Sequence, residues 1–140
     1  MQASVRWTGG LSFAATAESG GTTVLDATPN VERRGPSPME ALLISLAGCT
    51  GMDVVSILEK MRASLKGLEI NVSGERAVEH PRVFTRVTLE YVFTGTELAP
   101  DQVRRAITLS EERYCSVSAM VRKSAVLTYS WRIVDTPHRG

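Results

Sequence analysis

The sequence predicts an α+β domain with an N-terminal antiparallel β-meander, a long buried central helix, further antiparallel strands and C-terminal helices. Three observations carry that prediction. Two glycine-rich turns, Gly9-Gly10 and Ser19-Gly20-Gly21, divide three short strand-like segments near the start. A helix-capping signal at Ser37-Pro38-Met39-Glu40 opens a long apolar run. The element order, βββ-α-ββ-α-α-β, groups strands and helices instead of alternating them as a parallel βαβ chain does.

The first three strands are expected at Ser4–Thr8, Leu11–Glu18 and Thr22–Asp26. A loop from Ala27 to Pro36 follows, carrying Pro29, Asn30, Gly35 and the pair Arg33-Arg34. Ser37 then stands as N-cap, Pro38 at the first helical position and Glu40 at the third, so that each side chain can satisfy a free backbone N–H of the other residue. The helix is expected to run to about Ser64. Its first half (Ala41, Leu42, Leu43, Ile44, Leu46, Ala47) is apolar on every side, which predicts burial on every side, in the domain core or in an oligomer. The second half sets Val54, Val55, Leu58 and Met61 against Glu59, Lys60 and Arg62.

Two longer strands are expected at Leu68–Val78 and Val83–Phe93, with His80-Pro81 turning the chain between them. Apolar residues on both phases of the second predict partial cover on each face. Pro100-Asp101 opens a helix with Val103, Ala106, Ile107 and Leu109 on one side, ending near Tyr114. A second short helix starts at Cys115, and a last strand is expected at Val126–Val134, leaving Asp135–Gly140 as a frayed tail.

A chain of 140 residues makes one domain, 1–140. Lys and Arg (16) nearly cancel Asp and Glu (15), which argues against a charge-driven nucleic-acid partner. No basic segment followed by an apolar run begins the chain, so no signal peptide is expected. The longest uncharged apolar stretch, Ala41 to Met52, falls short of the roughly 18 residues of a membrane span. No membrane partner is therefore expected, and the default compartment is the cytoplasm. Two cysteines and two histidines are too few for a Cys₄ or Cys₂His₂ zinc site in one chain. His80 in a turn and His138 in the tail have no partner at ligand or triad spacing, so no metal site and no cofactor are expected.

Cys49 and Cys115 stand 66 positions apart with no Cys-x-x-Cys motif. On a helix of about 100° per residue, Ser45, Met52, Asp53 and Ser56 lie within about 60° of Cys49. Gly48 and Gly51 each cost about 1 kcal/mol in mid-helix, which points to close approach by another element or a ligand. Cys49 is then either a packed small hydrophobe or a reactive thiol beside Asp53. Cys115, in Tyr114-Cys115-Ser116-Val117-Ser118, lies at a helix start, where N–H groups and the helix dipole lower a thiol pKa. That suits a nucleophile or resolving thiol, and a packed N-cap fits the same position. Arg33 and Arg34, in the loop before the cysteine helix, are candidates for a positive charge supporting a thiolate, and otherwise solvated charges.

Gly35-Pro36-Ser37-Pro38-Met39-Glu40, with Leu46-Ala47-Gly48-Cys49-Thr50-Gly51-Met52-Asp53-Val54, resembles the central-helix segment of the OsmC/Ohr superfamily. Cys115-Ser116-Val117-Ser118 resembles its second cysteine motif, and the resemblance spans about residues 3–134, nearest to the less characterised OsmC-like branch. It implies an intertwined homodimer with two central helices at its heart, and thiol-dependent reduction of organic hydroperoxides. Cys49 would be the peroxidatic thiol and Cys115 the resolving one, with an external dithiol reducing their disulfide. On the residues themselves, Arg33, Arg34 and Asp53 are the candidate thiolate-supporting groups, with the Asp53 carboxylate raising the thiol pKa unless a cation offsets it. The alternative is a non-catalytic OsmC-like dimer that binds a small apolar ligand or senses redox state.

The chain departs from the hydroperoxide-resistance members in its supporting residues. Those carry a glutamate ten residues before the first cysteine, paired with an arginine from the N-terminal hairpin region. Here Met39 holds that position, Glu40 falls on the opposite helix face from Cys49, and no arginine occupies the glycine turns. Ser116 replaces the proline after the second cysteine.

Overall fold

The computed structural model describes residues 1–135. The expected frayed tail beyond Asp135, with His138, lies outside the described residues. The described elements are β1 (Ala3–Gly9), β2 (Ser12–Ala17), β3 (Thr22–Asp26), α1 (Pro38–Lys60), β4 (Leu65–Arg76), β5 (Phe84–Gly95), α2 (Pro100–Leu109), a π-helical turn (Ser110–Tyr114), α3 (Ser116–Val121) and β6 (Val126–Asp135). Their order is the predicted one. They fall into two compact units, Met1–Leu43 and Ile44–Gly140.

The first unit is an antiparallel meander in the order β1-β2-β3. Gly9 and Gly10 take φ of 116° and 54°, the left-handed values that a tight hairpin turn requires and glycine adopts without penalty. After β3, buried Asp26 organises the loop. Its Oδ1 accepts from the Thr28 hydroxyl (2.6 Å) and backbone N–H (2.9 Å), and its Oδ2 from the Arg34 N–H (3.2 Å). The Thr28 hydroxyl, foremost among these, holds the Asp26 carboxyl below its ordinary pKa. Segment 35–36 runs beside β3: Asp26 N–H donates to the Pro36 carbonyl (3.0 Å), and a Cβ at Gly35 would fall on the Val24 carbonyl oxygen. The capping box then forms as expected, with Ser37 N–H to Glu40 Oε1 at 2.9 Å and Glu40 N–H to Ser37 Oγ at 3.3 Å. Val5, Trp7 and Leu11 remain exposed.

In the second unit the sheet order is β4-β5-β6. β4 and β5 pair antiparallel, but β5 and β6 pair parallel, which corrects the expectation of antiparallel strands throughout. The reason is the connection. Residues 96–125 supply a helical crossover, which returns the chain in the same direction as β5. On β5, Val87, Leu89, Tyr91 and Phe93 are fully buried on one phase, and Glu90, Val92 and Thr94 are half-buried on the other, as the double patterning predicts.

Within a single chain α1 is covered on one face only, which leaves the oligomeric alternative for its other apolar faces. Only the i, i+4 stripe Leu46, Thr50, Val54 and Leu58 is buried within the chain. Each of the three apolar members contributes about 1.5–3 kcal/mol by leaving water. Ile44 (58% exposed) and Met52 (75%) face outward, because one sheet and one helix layer can cover only one side of a helix. A Cβ added at Gly51 would lie 3.0 Å from Ile70 Cδ1, the tip of a side chain on β4, whereas Gly48 faces open space. The helix also ends four residues early. Arg62 takes φ of 59°, its N–H reaches the Glu59 carbonyl, and Ala63 N–H reaches the Leu58 carbonyl, each at 3.0 Å. That is a Schellman stop, and it carries no sequence signal because arginine stands where glycine is usual.

By length and mean hydropathy (1.9) α1 is also the one helix among the described residues able to cross a membrane, since Asp53 interrupts the uncharged run without lowering the average enough to matter. Core helices of globular proteins pass the same test.

Candidate active site

The cysteines meet in the second unit. Cys49 lies half-buried on α1, and Cys115 is buried at the N-cap of α3. Cys49 Sγ, Cys115 Sγ and a carboxylate oxygen of Asp53 all lie within 4.8 Å of one another, and both cysteines are free thiols. Asp53 and Cys49 share a helix face through their i, i+4 spacing, as expected. A break in regular α-helix delivers Cys115: after α2 the chain widens into a π-helical turn, closed by Cys115 N–H on the Ser110 carbonyl (2.8 Å).

A polar cluster joins the two thiol-bearing segments. Thr50, next to Cys49, shares hydrogen bonds with Tyr91 Oη (2.7 Å) and Ser110 Oγ (2.9 Å) and donates to Glu111 Oε1 (3.2 Å). Tyr91 donates to Glu111 Oε1 (2.9 Å), and Ser110 donates to Asp53 Oδ2 (3.0 Å). Three hydroxyl protons serve these five short contacts, so they are not all filled at once; the carboxylates accept, and the proton between Thr50 and Tyr91, or between Thr50 and Ser110, can come from either partner.

Glu111 would be an expensive buried charge without a cation. Arg122 supplies one: Nη2 lies 2.8 Å from Glu111 Oε2, and Nη1 donates to the Glu111 backbone carbonyl at 2.6 Å. The Glu111 side chain is 1% exposed and that of Arg122 37%, so the pair spans from interior to surface. Burial, with the Glu111 charge beside it, drives the Tyr91 phenol far above its ordinary pKa and keeps it a donor.

Cys115 reverses one expectation. A helix start was expected to lower its pKa, and the Ser118 N–H does donate to Cys115 Sγ at 3.3 Å. Desolvation outweighs this donor, and the neighbouring Cys49 sulfur adds in the same direction, so the Cys115 thiol is raised. The Ser118 hydroxyl is fully buried. It lies close enough to the sulfur to favour a thiolate, yet no hydrogen-bond partner of ordinary geometry is present among the described residues.

Arg33 and Arg34 lie in the first unit. Arg33 is 3.9 Å from the Glu40 carboxylate, both largely exposed, and Arg34 contributes a backbone N–H to Asp26. Within the second unit, the guanidinium tied to the cysteine segments is Arg122, which the sequence reading did not single out, nor Thr50, Tyr91, Ser110 or Glu111. The available signal was weak. Glu111 sits four residues before a helix-start cysteine, but an acidic residue in Ser110-Glu111-Glu112-Arg113 reads as a solvated face.

Comparison with known proteins agrees with this architecture. The family described as OsmC-like protein matches residues 30–130. Protein YhfA of Escherichia coli K12 is 41% identical over 134 residues, covering 96% of this chain and 98% of its own. A hypothetical protein from Aquifex aeolicus superposes with a TM-score of 0.86 at 29% identity, covering 97% of each chain. The organic hydroperoxide resistance protein OhrB of Bacillus subtilis superposes with a TM-score of 0.62 at 18% identity, covering 94% of this chain and 98% of its own, a likeness of fold. With the family matched over residues 30–130 and a relative 41% identical along nearly its whole length, the chain belongs to the OsmC-like family.

Proposed function

We propose that the protein is a thiol-dependent peroxidase of organic hydroperoxides, working through Cys49 and Cys115. The observation that carries the proposal is the meeting of two free thiols within 4.8 Å in a family that includes hydroperoxide resistance proteins. Cys49 is the more accessible sulfur and attacks the distal peroxide oxygen. The O–O bond breaks, the sulfur becomes a sulfenic acid, and the thiol proton leaves with the alcohol. Asp53 stands where it can take that proton and return it. Cys115 then attacks the sulfenic sulfur, forming a disulfide and releasing water, and an external dithiol restores both thiols. Arg33 and Arg34 remain candidates for stabilising charge on the sulfur.

The catalytic form is proposed to be a cytoplasmic homodimer. Ile44 and Met52 on α1, and Val5, Trp7 and Leu11 in the meander, are apolar and exposed. A groove of about 750 Å³ runs between α1 and β4, lined by Ile44, Ala47, Gly48, Val55, Ile70 and Val72. A second copy's central helix covers such a surface better than water does. The groove also favours the second reading, an apolar-ligand binder whose thiols sense without turnover.

Steady-state turnover of cumene hydroperoxide with dithiothreitol separates the two. The peroxidase reading expects turnover that Cys49→Ser abolishes. Full turnover in Cys49→Ser overturns the Cys49 mechanism, and no turnover in wild type supports the binding reading.

A further inference from the structure

We infer that reduced Cys49 and Cys115, together with Asp53, form a three-ligand site for a thiophilic divalent cation, zinc. The inference does not rest on the peroxidase proposal, since it needs only the geometry of the reduced pair. Zinc takes thiolate sulfur at about 2.3 Å and carboxylate oxygen at about 2.0–2.2 Å in a tetrahedron, which places donors about 3.4–3.8 Å apart. The three donors already lie within 4.8 Å of one another, so movements of about 1 Å or less at each would close the shell.

The surrounding groups suit metal-bound thiolate and carboxylate. Ser110 donates to Asp53 Oδ2 at 3.0 Å and fixes the carboxylate, while its other oxygen has no hydrogen-bond partner among the described residues. The Ser118 N–H donates to Cys115 Sγ at 3.3 Å, and the buried Ser118 hydroxyl beside it lacks a partner, which a metal-bound thiolate would supply. Such outer contacts orient ligands and hold their charge. Asp53 also lines a surface cavity of about 560 Å³, through which water can reach its carboxylate.

Ligand chemistry selects zinc. Two sulfurs alone suit copper(I), whereas two sulfurs with one oxygen suit a borderline cation. Binding forms two Zn–S bonds and releases the protons those thiols carried, with no change of oxidation state. A sulfur so bound shares one electron pair and much of its charge with the metal and is a weaker nucleophile toward peroxide, so zinc and hydroperoxide compete for one site.

The test uses the full chain, reduced and stripped of metal, titrated anaerobically with Co²⁺ and then Zn²⁺. One cobalt per chain with a thiolate-to-cobalt charge-transfer band, displaced by one zinc, is expected. Asp53→Asn should weaken zinc by more than about 100-fold, beyond what loss of an outer-shell contact usually gives, and Asp53→Glu should largely restore it. Iodoacetamide-alkylated wild type, which keeps the native sequence, should show no band. Absence of a stoichiometric band in wild type, equal affinity in folded Asp53→Asn, or one metal per two chains would overturn the inference.

Discussion

Thr50 and Ser110 share a 2.9 Å hydrogen bond, and through it the helix bearing Cys49 is joined to the turn that delivers Cys115. The two thiols therefore meet because a buried hydroxyl-carboxylate cluster holds their backbones together. Arg122 closes that cluster from the surface side.

Removing the cation should expose this dependence. Arg122→Met leaves Glu111 buried and unpaired, which costs about 3 kcal/mol, the low end for a broken buried pair because Arg122 itself is partly exposed. Urea unfolding measures the loss. Adding Glu111→Gln to Arg122→Met should recover part of it. A loss below about 0.5 kcal/mol, the size of one surface pair, would remove the pair from any structural role.

Thr50→Val tests the hydroxyl bridge with little change of volume. Tyr91 and Ser110 keep their own carboxylate acceptors, so the expected cost is modest, about 1–2 kcal/mol. Disulfide formation after peroxide treatment should slow more than the first oxidation step, since only the second requires the two segments in register.

The raised Cys115 thiol makes stability depend on pH in a defined direction. The folded chain holds this proton at pH values where the unfolded chain releases it. The contribution is complete below the ordinary thiol value of 9.0 and is lost as pH rises through the higher folded value. Reduced wild type should thus lose unfolding free energy above about pH 9, and Cys115→Ser should lose less over the same range. Alkylation of Cys115 should likewise be slow at neutral pH.

Gly35→Ala probes the start of the central helix. Its Cβ would strike the Val24 carbonyl, a backbone atom that cannot swing aside. A destabilisation of about 2 kcal/mol or more is expected from thermal unfolding, larger than the usual surface substitution.

The fold was largely legible in the sequence because its signals are local. Gly9-Gly10, the Ser37–Glu40 box and Pro100 each fix a boundary through short-range geometry. The parallel placement of β6 was not legible, because pairing direction depends on where a thirty-residue crossover lands. Nor was the end of α1, where Arg62 adopts a glycine-like conformation. At the site, Cys49, Asp53 and Cys115 could be singled out by residue type and helix spacing. Glu111 and Arg122 could not, because each reads as an ordinary surface charge until the π-helical turn points one inward and α3 brings the other to it.

The central claim is that Cys49 and Cys115 react as a pair. Peptide mapping by mass spectrometry after one equivalent of cumene hydroperoxide, with prior blocking of unreacted thiols, tests it most directly. An intrachain Cys49–Cys115 disulfide with one equivalent of alcohol released is expected. Recovery of both cysteines as unreacted, alkylatable thiols would contradict it.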